Sequence, residues 1–135
     1  MLRISTAIAD EMVAHCLLGL PDEACGLLAG PEGTGDVAAI YPTDNLAASA
    51  LVYTVDPRAH LRADRAAEDA GNVLIGVFHS HTHTEAYPSP TDVAQAPDPT
   101  WHYVIVSLRD MAPAIRSFRI IEGEITEEAV EVIGR

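Results

Sequence analysis

Lysine is absent from this chain of 135 residues, and every basic residue is an arginine. Because no lysine amine is available, Schiff-base chemistry, a Walker-type phosphate loop and a Ser–Lys dyad are excluded. Basic residues are also few: eight stand against 20 acidic ones, which gives a formal net charge of −12. A surface with this charge repels polyphosphate and anionic lipid, so we expect no nucleic-acid binding and no membrane binding.

Cysteine and long apolar runs are scarce as well. Cys16 and Cys25 are the two cysteines, too few for a disulfide framework or a four-thiolate zinc site. The apolar stretch 73–78 and others like it are too short to span a bilayer, and residues 1–3 lead into acidic residues rather than into a secretory signal. We therefore expect a cytoplasmic protein with a single domain over residues 1–135, a size that buries roughly two-thirds of the unfolded surface.

The order of predicted elements alternates helices with strands. Apolar residues at three- and four-residue spacing predict a helix at 6–18, Pro57 and Gly71 delimit a second helix, and a short third helix begins near Ser89. Such alternation implies a sheet with helices packed on it, so the expected class is α/β or α+β. Strands are predicted at 24–29, 37–41, 51–55, 73–80, 101–108 and 114–121, and 125–133 fits either a strand or a helix.

The segment from His79 to Asp92 carries most of the reactive side chains. His79 and His81 stand at i and i+2 at the end of a buried strand, so their imidazoles share one face and can hold one metal ion. Asp92 ends the stretch 89–92, which has the pattern of a helix capping box. If a loop returns Asp92 to the histidines, the three ligands form a zinc site with a fourth position open to water, the arrangement of catalytic sites.

A hydrolytic metal site also needs a base that takes a proton from water and passes it to the leaving amine. Two neighbouring acids, Asp22 and Glu23, lie where a loop enters the predicted strand 24–29. Burial at such an edge raises the pKa of a carboxyl group toward a useful range. Spacing alone does not choose between the two residues.

The combination of these residues resembles the JAMM (MPN-plus) metalloprotease family. The family motif is a glutamate, then His-x-His, seven residues, a serine, two residues and an aspartate; it is filled in order and spacing by Glu23, His79, His81, Ser89 and Asp92. The surrounding pattern Glu-x-Cys-Gly-Leu-Leu-x-Gly matches as well and assigns the family's glutamate to Glu23. The resemblance implies an α/β, cytidine-deaminase-like JAMM/MPN fold, in which helices flank a curved mixed β-sheet.

The same resemblance implies a role for each motif residue. His79, His81 and Asp92 would bind one Zn²⁺ per chain, Glu23 would be the acid/base, and Ser89 would donate a hydrogen bond to the attacking water or the developing oxyanion. The implied reaction is hydrolysis of a peptide or isopeptide bond after the C-terminal Gly-Gly of a ubiquitin-like protein. The short chain resembles the stand-alone prokaryotic branch, whose substrates are small sulfur-carrier proteins and whose members include peptidases that release cysteine in cysteine biosynthesis.

Other interpretations of these residues are weaker. A non-catalytic MPN-type scaffold would only bind partners, but such members normally lack one or more motif residues and none is missing here. A zinc deaminase needs His-x-Glu with Pro-Cys-x-x-Cys, and neither pattern is present. A DNA-repair relative with the same motif is disfavoured by the acidic charge. His83 is an alternative third ligand, although the context 89–92 favours Asp92.

Overall fold

The computed structural model describes residues 1–134, which form eight strands and three helices. Six strands make a mixed sheet in the order β3-β2-β4-β5-β6-β7, and β1 pairs with β8 in a separate two-stranded sheet. Within the described residues no helix is long and apolar enough to cross a membrane. The elements in chain order are β1 (Leu2–Ser5), α1 (Thr6–Gly19), β2 (Cys25–Gly30), β3 (Ala39–Thr43), α2 (Pro57–Asp69), β4 (Val73–His81), α3 (Pro90–Ala94), β5 (His102–Ser107), β6 (Ala114–Ile121), β7 (Glu124–Glu128) and β8 (Val130–Ile133).

Strand β4 lies inside the sheet and positions the histidines. It pairs antiparallel with β2 and parallel with β5, and its residues from Ile75 onward are buried. At its start, Gly76 lies so close to β5 that a Cβ there would overlap the carbonyl oxygen of His102. The strand is therefore paired on both sides as far as His79, and on the β5 side as far as its last residue, His81.

The core lies on both faces of the sheet, with one long helix on each. Phe78 of β4 packs in one apolar cluster with Met12 and Cys16 of α1. Its neighbour Val77 packs in the other cluster with Ala63 of α2. Because side chains alternate along a strand, His79 and His81 share the face of Val77, which is the face covered by α2.

The expected α/β class, with a mixed sheet flanked by helices, is confirmed. The predicted strand 114–121 is confirmed at its bounds, and the two long helices and the central strand are confirmed to within one residue at each end. The side chains of Ser5 and Asp56 cap α1 and α2 by accepting hydrogen bonds from the backbone N–H groups of Ile8 and Arg58. The segment 125–133 is extended and forms two strands, β7 and β8.

One prediction of secondary structure is wrong, and one strand was missed. The segment 51–55 is not a strand: it makes one isolated bridge, between Val55 and Asn45, and otherwise follows an irregular path. Its alternation of apolar residues reflects burial of Tyr53 under α2 rather than a sheet ladder. Strand β1 was not predicted, because its partner β8 lies at the other end of the chain and four residues carry little periodicity of their own.

Candidate metal centre

Two imidazoles and one carboxylate converge at the carboxyl end of β4. His81 Nε2 lies 2.9 Å from Asp92 Oδ2, and His79 Nε2 lies 3.2 Å from the same oxygen. All three side chains are buried, and their ligand atoms lie within 4.8 Å of one another. The structure thus brings together the three residues that the sequence predicts as metal ligands.

A helix cap holds the Asp92 carboxylate in this position. Ser89 precedes α3, and its Oγ accepts a hydrogen bond from the backbone N–H of Asp92 at 3.1 Å. In return, Asp92 Oδ2 accepts a hydrogen bond from the backbone N–H of Ser89 at 2.9 Å. Pro90 occupies the first helical position, where its missing N–H costs nothing. The Asp92 side chain is therefore both a member of the capping box and a proposed metal ligand.

The hydrogen bond on the far side of His81 leaves a lone pair facing Asp92. His81 Nδ1 lies 2.8 Å from the carbonyl oxygen of Glu85, which accepts its proton. A neutral imidazole carries one ring proton, so Nε2 then faces the Asp92 carboxylate as a second acceptor. His79 Nε2 is also buried and has no hydrogen-bond partner among the described residues. A cation between these three acceptors would satisfy all of them, so the site fits a metal ion.

The pKa values at the cluster agree with a site built for positive charge. Burial opposes ionisation of Asp92, but the two adjacent imidazoles and the hydrogen bond from the Ser89 backbone hold the pKa of this carboxyl well below its usual range. Complete burial lowers the pKa of His79. Burial also lowers the pKa of His81, but the adjacent Asp92 carboxylate and the hydrogen bond to the Glu85 carbonyl outweigh it, so the net shift is upward. The carboxylate stays ionised and attracts a proton or a metal cation.

An aromatic ring that sequence reasoning missed covers one of these imidazoles. The ring of Tyr53 stacks on that of His79 with centroids 4.3 Å apart and an interplanar angle of 20°. Tyr53 is itself buried in the cluster with Val77 and Ala63, so it restrains the orientation of the histidine ring. The sequence offered one signal for a role of Tyr53: it is an aromatic residue in a chain that is only 5% aromatic.

Glu23 is the buried member of the pair of acids before β2. Only 5% of Glu23 is exposed, and burial raises its pKa to about 7. Its Oε1 has no hydrogen-bond partner among the described residues. Glu23 lines a cavity of about 190 Å³ together with His81 and Ser89, whereas Asp22 is only half-buried. Burial therefore distinguishes two residues that spacing left equivalent.

Ser89 and His83 both line this cavity, but their side chains make different hydrogen bonds there. The Oγ of Ser89 accepts the capping hydrogen bond, and no described residue accepts its hydroxyl proton, which can be donated into the cavity. His83 is exposed, and its Nδ1 lies 2.9 Å from Thr82 Oγ1. Within residues 1–134 the candidate ligand cluster contains Asp92 and does not contain His83. The geometry thus favours Asp92 as the third ligand.

The raised pKa of Glu23 predicts a pH-dependent effect on folding stability in the metal-free protein. The pKa is about 7 in the folded state against an ordinary value of 4.5, so stability is lost as the pH rises through this window. We expect Glu23→Gln to be more stable than the parent at pH 8, by at most about 3 kcal/mol since one pKa unit is about 1.4 kcal/mol, and to differ much less at pH 4. Urea unfolding at both pH values measures this. Glu11→Gln, which changes an exposed acid of α1, should show no such dependence; an equal effect of Glu23→Gln at the two pH values would contradict the assignment.

Comparison with known proteins identifies the family. The family model described as prokaryotic homologs of the JAB domain matches residues 5–121. The chain belongs to this family. The matched range includes all five residues of the JAMM motif, so the resemblance seen in the sequence is confirmed.

Two curated relatives of this JAB-family chain carry the names of peptidases or related enzymes, and the first of them matches almost its whole length. It is 46% identical over 134 residues to the CysO-cysteine peptidase of Mycobacterium tuberculosis, covering 98% of this chain and 92% of the relative. It is 34% identical over 111 residues to the desampylase of Haloferax volcanii, covering 78% of this chain and 80% of the relative. With the family membership, the peptidase relatives confirm the expectation that the chain is a JAMM-type hydrolase.

Solved structures confirm the fold. A solution structure of a Desulfitobacterium hafniense protein superposes with a TM-score of 0.88 at 38% identity, covering 100% of this chain and 93% of that one. A JAB1/MPN domain protein from Archaeoglobus fulgidus superposes with a TM-score of 0.62 at 20% identity, covering 98% and 99%. The second likeness concerns the fold alone, and it confirms the expected JAMM/MPN architecture.

Proposed function

We propose that the chain is a zinc-dependent metallopeptidase that hydrolyses the peptide or isopeptide bond after the C-terminal Gly-Gly of a small ubiquitin-like or sulfur-carrier protein. The observation that carries the proposal is the convergence of His79 Nε2, His81 Nε2 and Asp92 Oδ2 next to the cavity that Glu23 lines. The names of the peptidase and desampylase relatives support the class of substrate, and that of the CysO-cysteine peptidase supports cysteine as one released group.

The three converging side chains are proposed as the ligands of one zinc ion. Two neutral imidazoles and a carboxylate with an open fourth position are the donors that zinc takes in catalytic sites. When bound, the ion would polarise the scissile carbonyl and lower the pKa of water to about 7. The Glu85 carbonyl oxygen lies 2.8 Å from His81 Nδ1 and accepts its proton. This hydrogen bond would fix the tautomer that presents Nε2 to the metal.

Glu23 is proposed to move the proton. With a pKa of about 7, its carboxylate can accept a proton from the attacking water and then donate it to the leaving amine as the C–N bond breaks, which returns Glu23 to its starting state. Ser89 would donate its hydroxyl hydrogen to the developing oxyanion. A scaffold that only binds partners has no use for a buried carboxyl without a hydrogen-bond partner, so this residue favours an enzyme over the non-catalytic alternative.

The shape of the cavity suits a tail without side chains. Ala50, Leu51 and Thr82 line this cavity of about 190 Å³ together with Glu23 and Ser89. Two glycines in extended form need little lateral space, so a Gly-Gly terminus can reach the ligands where bulkier residues would clash.

We propose that the protein acts as a single domain over residues 1–135, in the cytoplasm, on a protein partner rather than on nucleic acid or membrane.

Cleavage of a defined fusion tests the proposal. A small β-grasp carrier ending in Gly-Gly, fused to cysteine or to a short peptide, should be cleaved after the second glycine by protein that holds about one zinc per chain. Intact-mass spectrometry identifies the product, and a chelator should abolish cleavage until zinc is restored. A carrier ending in Ala-Ala is the matched control and should be cleaved much more slowly. Cleavage that persists in metal-free protein, or at another position, would overturn the proposal.

A further inference from the structure

The irregular segment between β3 and α2, residues 45–55, lies against the candidate site. The carbonyl oxygen of Ser49 accepts a hydrogen bond from the backbone N–H of Glu23 at 2.8 Å. Ala50 accepts a weaker one from Thr82 Oγ1 at 3.4 Å, and Tyr53 stacks on His79. The segment therefore touches both the proposed acid/base and a proposed metal ligand.

One side chain, that of Asn45, ties this segment together and to Glu23. Its Nδ2 donates to the carbonyl oxygen of Glu23 at 2.9 Å and to that of Val52 at 3.0 Å. Its Oδ1 accepts from the backbone N–H groups of Ala47 at 3.0 Å and Thr54 at 2.9 Å. Asn45 thus uses both ends of its amide to link the start of the segment, its end and the strand entry that carries Glu23.

The segment needs such a link because it has little regular structure of its own. Its sheet pairing is limited to the isolated bridge between Asn45 and Val55. At Ala48 the backbone takes a φ of 47°, a left-handed conformation that is disfavoured for a residue with a Cβ. The amide of Asn45 supplies hydrogen bonds that a strand ladder would otherwise provide. Among the described residues, no other side chain makes a hydrogen bond to the Glu23 backbone.

We propose, on the basis of the proposed function, that Asn45 is a positioning residue for the hydrolysis, because it fixes Glu23 relative to the metal ligands. The backbone of Glu23 is held on both sides by this segment, at its N–H by Ser49 and at its carbonyl by Asn45. Loosening the segment shifts the Glu23 carboxylate, whereas the backbones of His79, His81 and Asp92 stay anchored on β4 and α3 by contacts that do not involve Asn45. A misplacement of about 1 Å in a catalytic group can cost about 100-fold in rate.

Two variants at this position separate the role from a general loss of structure. Asn45→Ala removes all the hydrogen bonds, and Asn45→Asp keeps the two acceptor bonds to Ala47 and Thr54 while removing the donor bonds. We expect both variants to retain about one zinc per chain and a KM within about threefold of the parent, with kcat lowered by about 10- to 100-fold. Asn72→Ala changes the other asparagine of the chain, after α2, and should leave kcat unchanged. A parental kcat in both Asn45 variants, or a loss of activity in proportion to lost zinc, would overturn the proposal.

Amide hydrogen exchange tests the same inference without a substrate. In Asn45→Ala, exchange of the backbone amides of Glu23 and Thr54 should be at least about tenfold faster, while that of Val77 in β4 should not change. The Oδ1 that accepts from Thr54 is removed, and the Ser49 carbonyl that accepts from Glu23 is no longer held in place. Unchanged protection of Glu23 and Thr54 would refute the positioning role. If the parent protein cleaves no carrier, the proposed function fails, and the exchange experiment still decides whether Asn45 holds Glu23.

Discussion

Glu23→Gln is expected to bind zinc like the parent protein and to lose about 10²- to 10⁴-fold in kcat, the usual contribution of a positioned acid/base. Glutamine has nearly the same shape as glutamate and fits the same buried position, but it cannot accept the proton of the attacking water. The metal ligands are untouched, since the ligand cluster comprises His79, His81 and Asp92. Steady-state kinetics on the Gly-Gly fusion, with zinc determined on the same samples, measures both quantities.

The neighbouring acid provides the control for this substitution. Asp22 is adjacent in sequence and half-buried, and it is not among the residues that line the cavity with Glu23. Asp22→Asn should therefore retain the parental kcat. If Asp22→Asn were inactive and Glu23→Gln active, the assignment of the acid/base would be reversed. If both were active, neither acid would take part in proton transfer.

Asp92→Asn is expected to weaken zinc binding by more than the 10- to 100-fold typical of residues that only support a ligand. An amide oxygen can still accept the hydrogen bond from the backbone N–H of Ser89, so the cap of α3 should persist. The negative charge that faces the two imidazoles at 2.9 and 3.2 Å is lost, and with it the preference for a divalent cation. Competition with a chromophoric chelator gives the affinity, and hydrolysis should fall with zinc occupancy.

A second capping aspartate controls for the helix itself. Asp56 caps α2 by accepting a hydrogen bond from the backbone N–H of Arg58 at 2.9 Å, and it belongs to no candidate ligand cluster in the described part of the chain. Asp56→Asn should leave zinc affinity unchanged. If Asp92→Asn bound zinc like the parent protein and His83→Ala did not, the third ligand would be His83 rather than Asp92.

The sequence predicted best the features that depend on neighbours along the chain. The buried run ending in His79 and His81 shows its strand character in a few residues, and the stretch 89–92 shows its cap in four. Both signals depend on residues that are close in the chain, so tertiary contacts do little to change the local structure that they predict. This is why the histidine pair and Asp92 could be proposed together before the fold was known.

Features that depend on distant parts of the chain could not be predicted in this way. Spacing alone does not distinguish Asp22 from Glu23; the family resemblance chose Glu23, and the physical reason, its burial, is present only in the folded chain. The segment 51–55 has the alternation of a strand, but hydrogen bonds to Asn45 replace its ladder. Tyr53 and Asn45 contact the site because the segment 45–55 passes beside it, and the periodicity of the sequence does not predict that path.

The parallel pairing of β1 with β8 has a consequence for how the molecule is made. Residues 2–5 pair with residues 130–133, so this pairing can form only after residue 133 has been synthesised. Leu2 and Ile4 are both fully buried in the finished core, and on its other edge the strand makes an isolated bridge between Arg3 and Asp36, so a contact nearer in the chain is available to it earlier. Contacts that join the two ends of a chain are also slow to form. The ligands His79, His81 and Asp92, in contrast, all lie within residues 79–92, so the contacts among them close a far shorter loop than the pairing of β1 with β8.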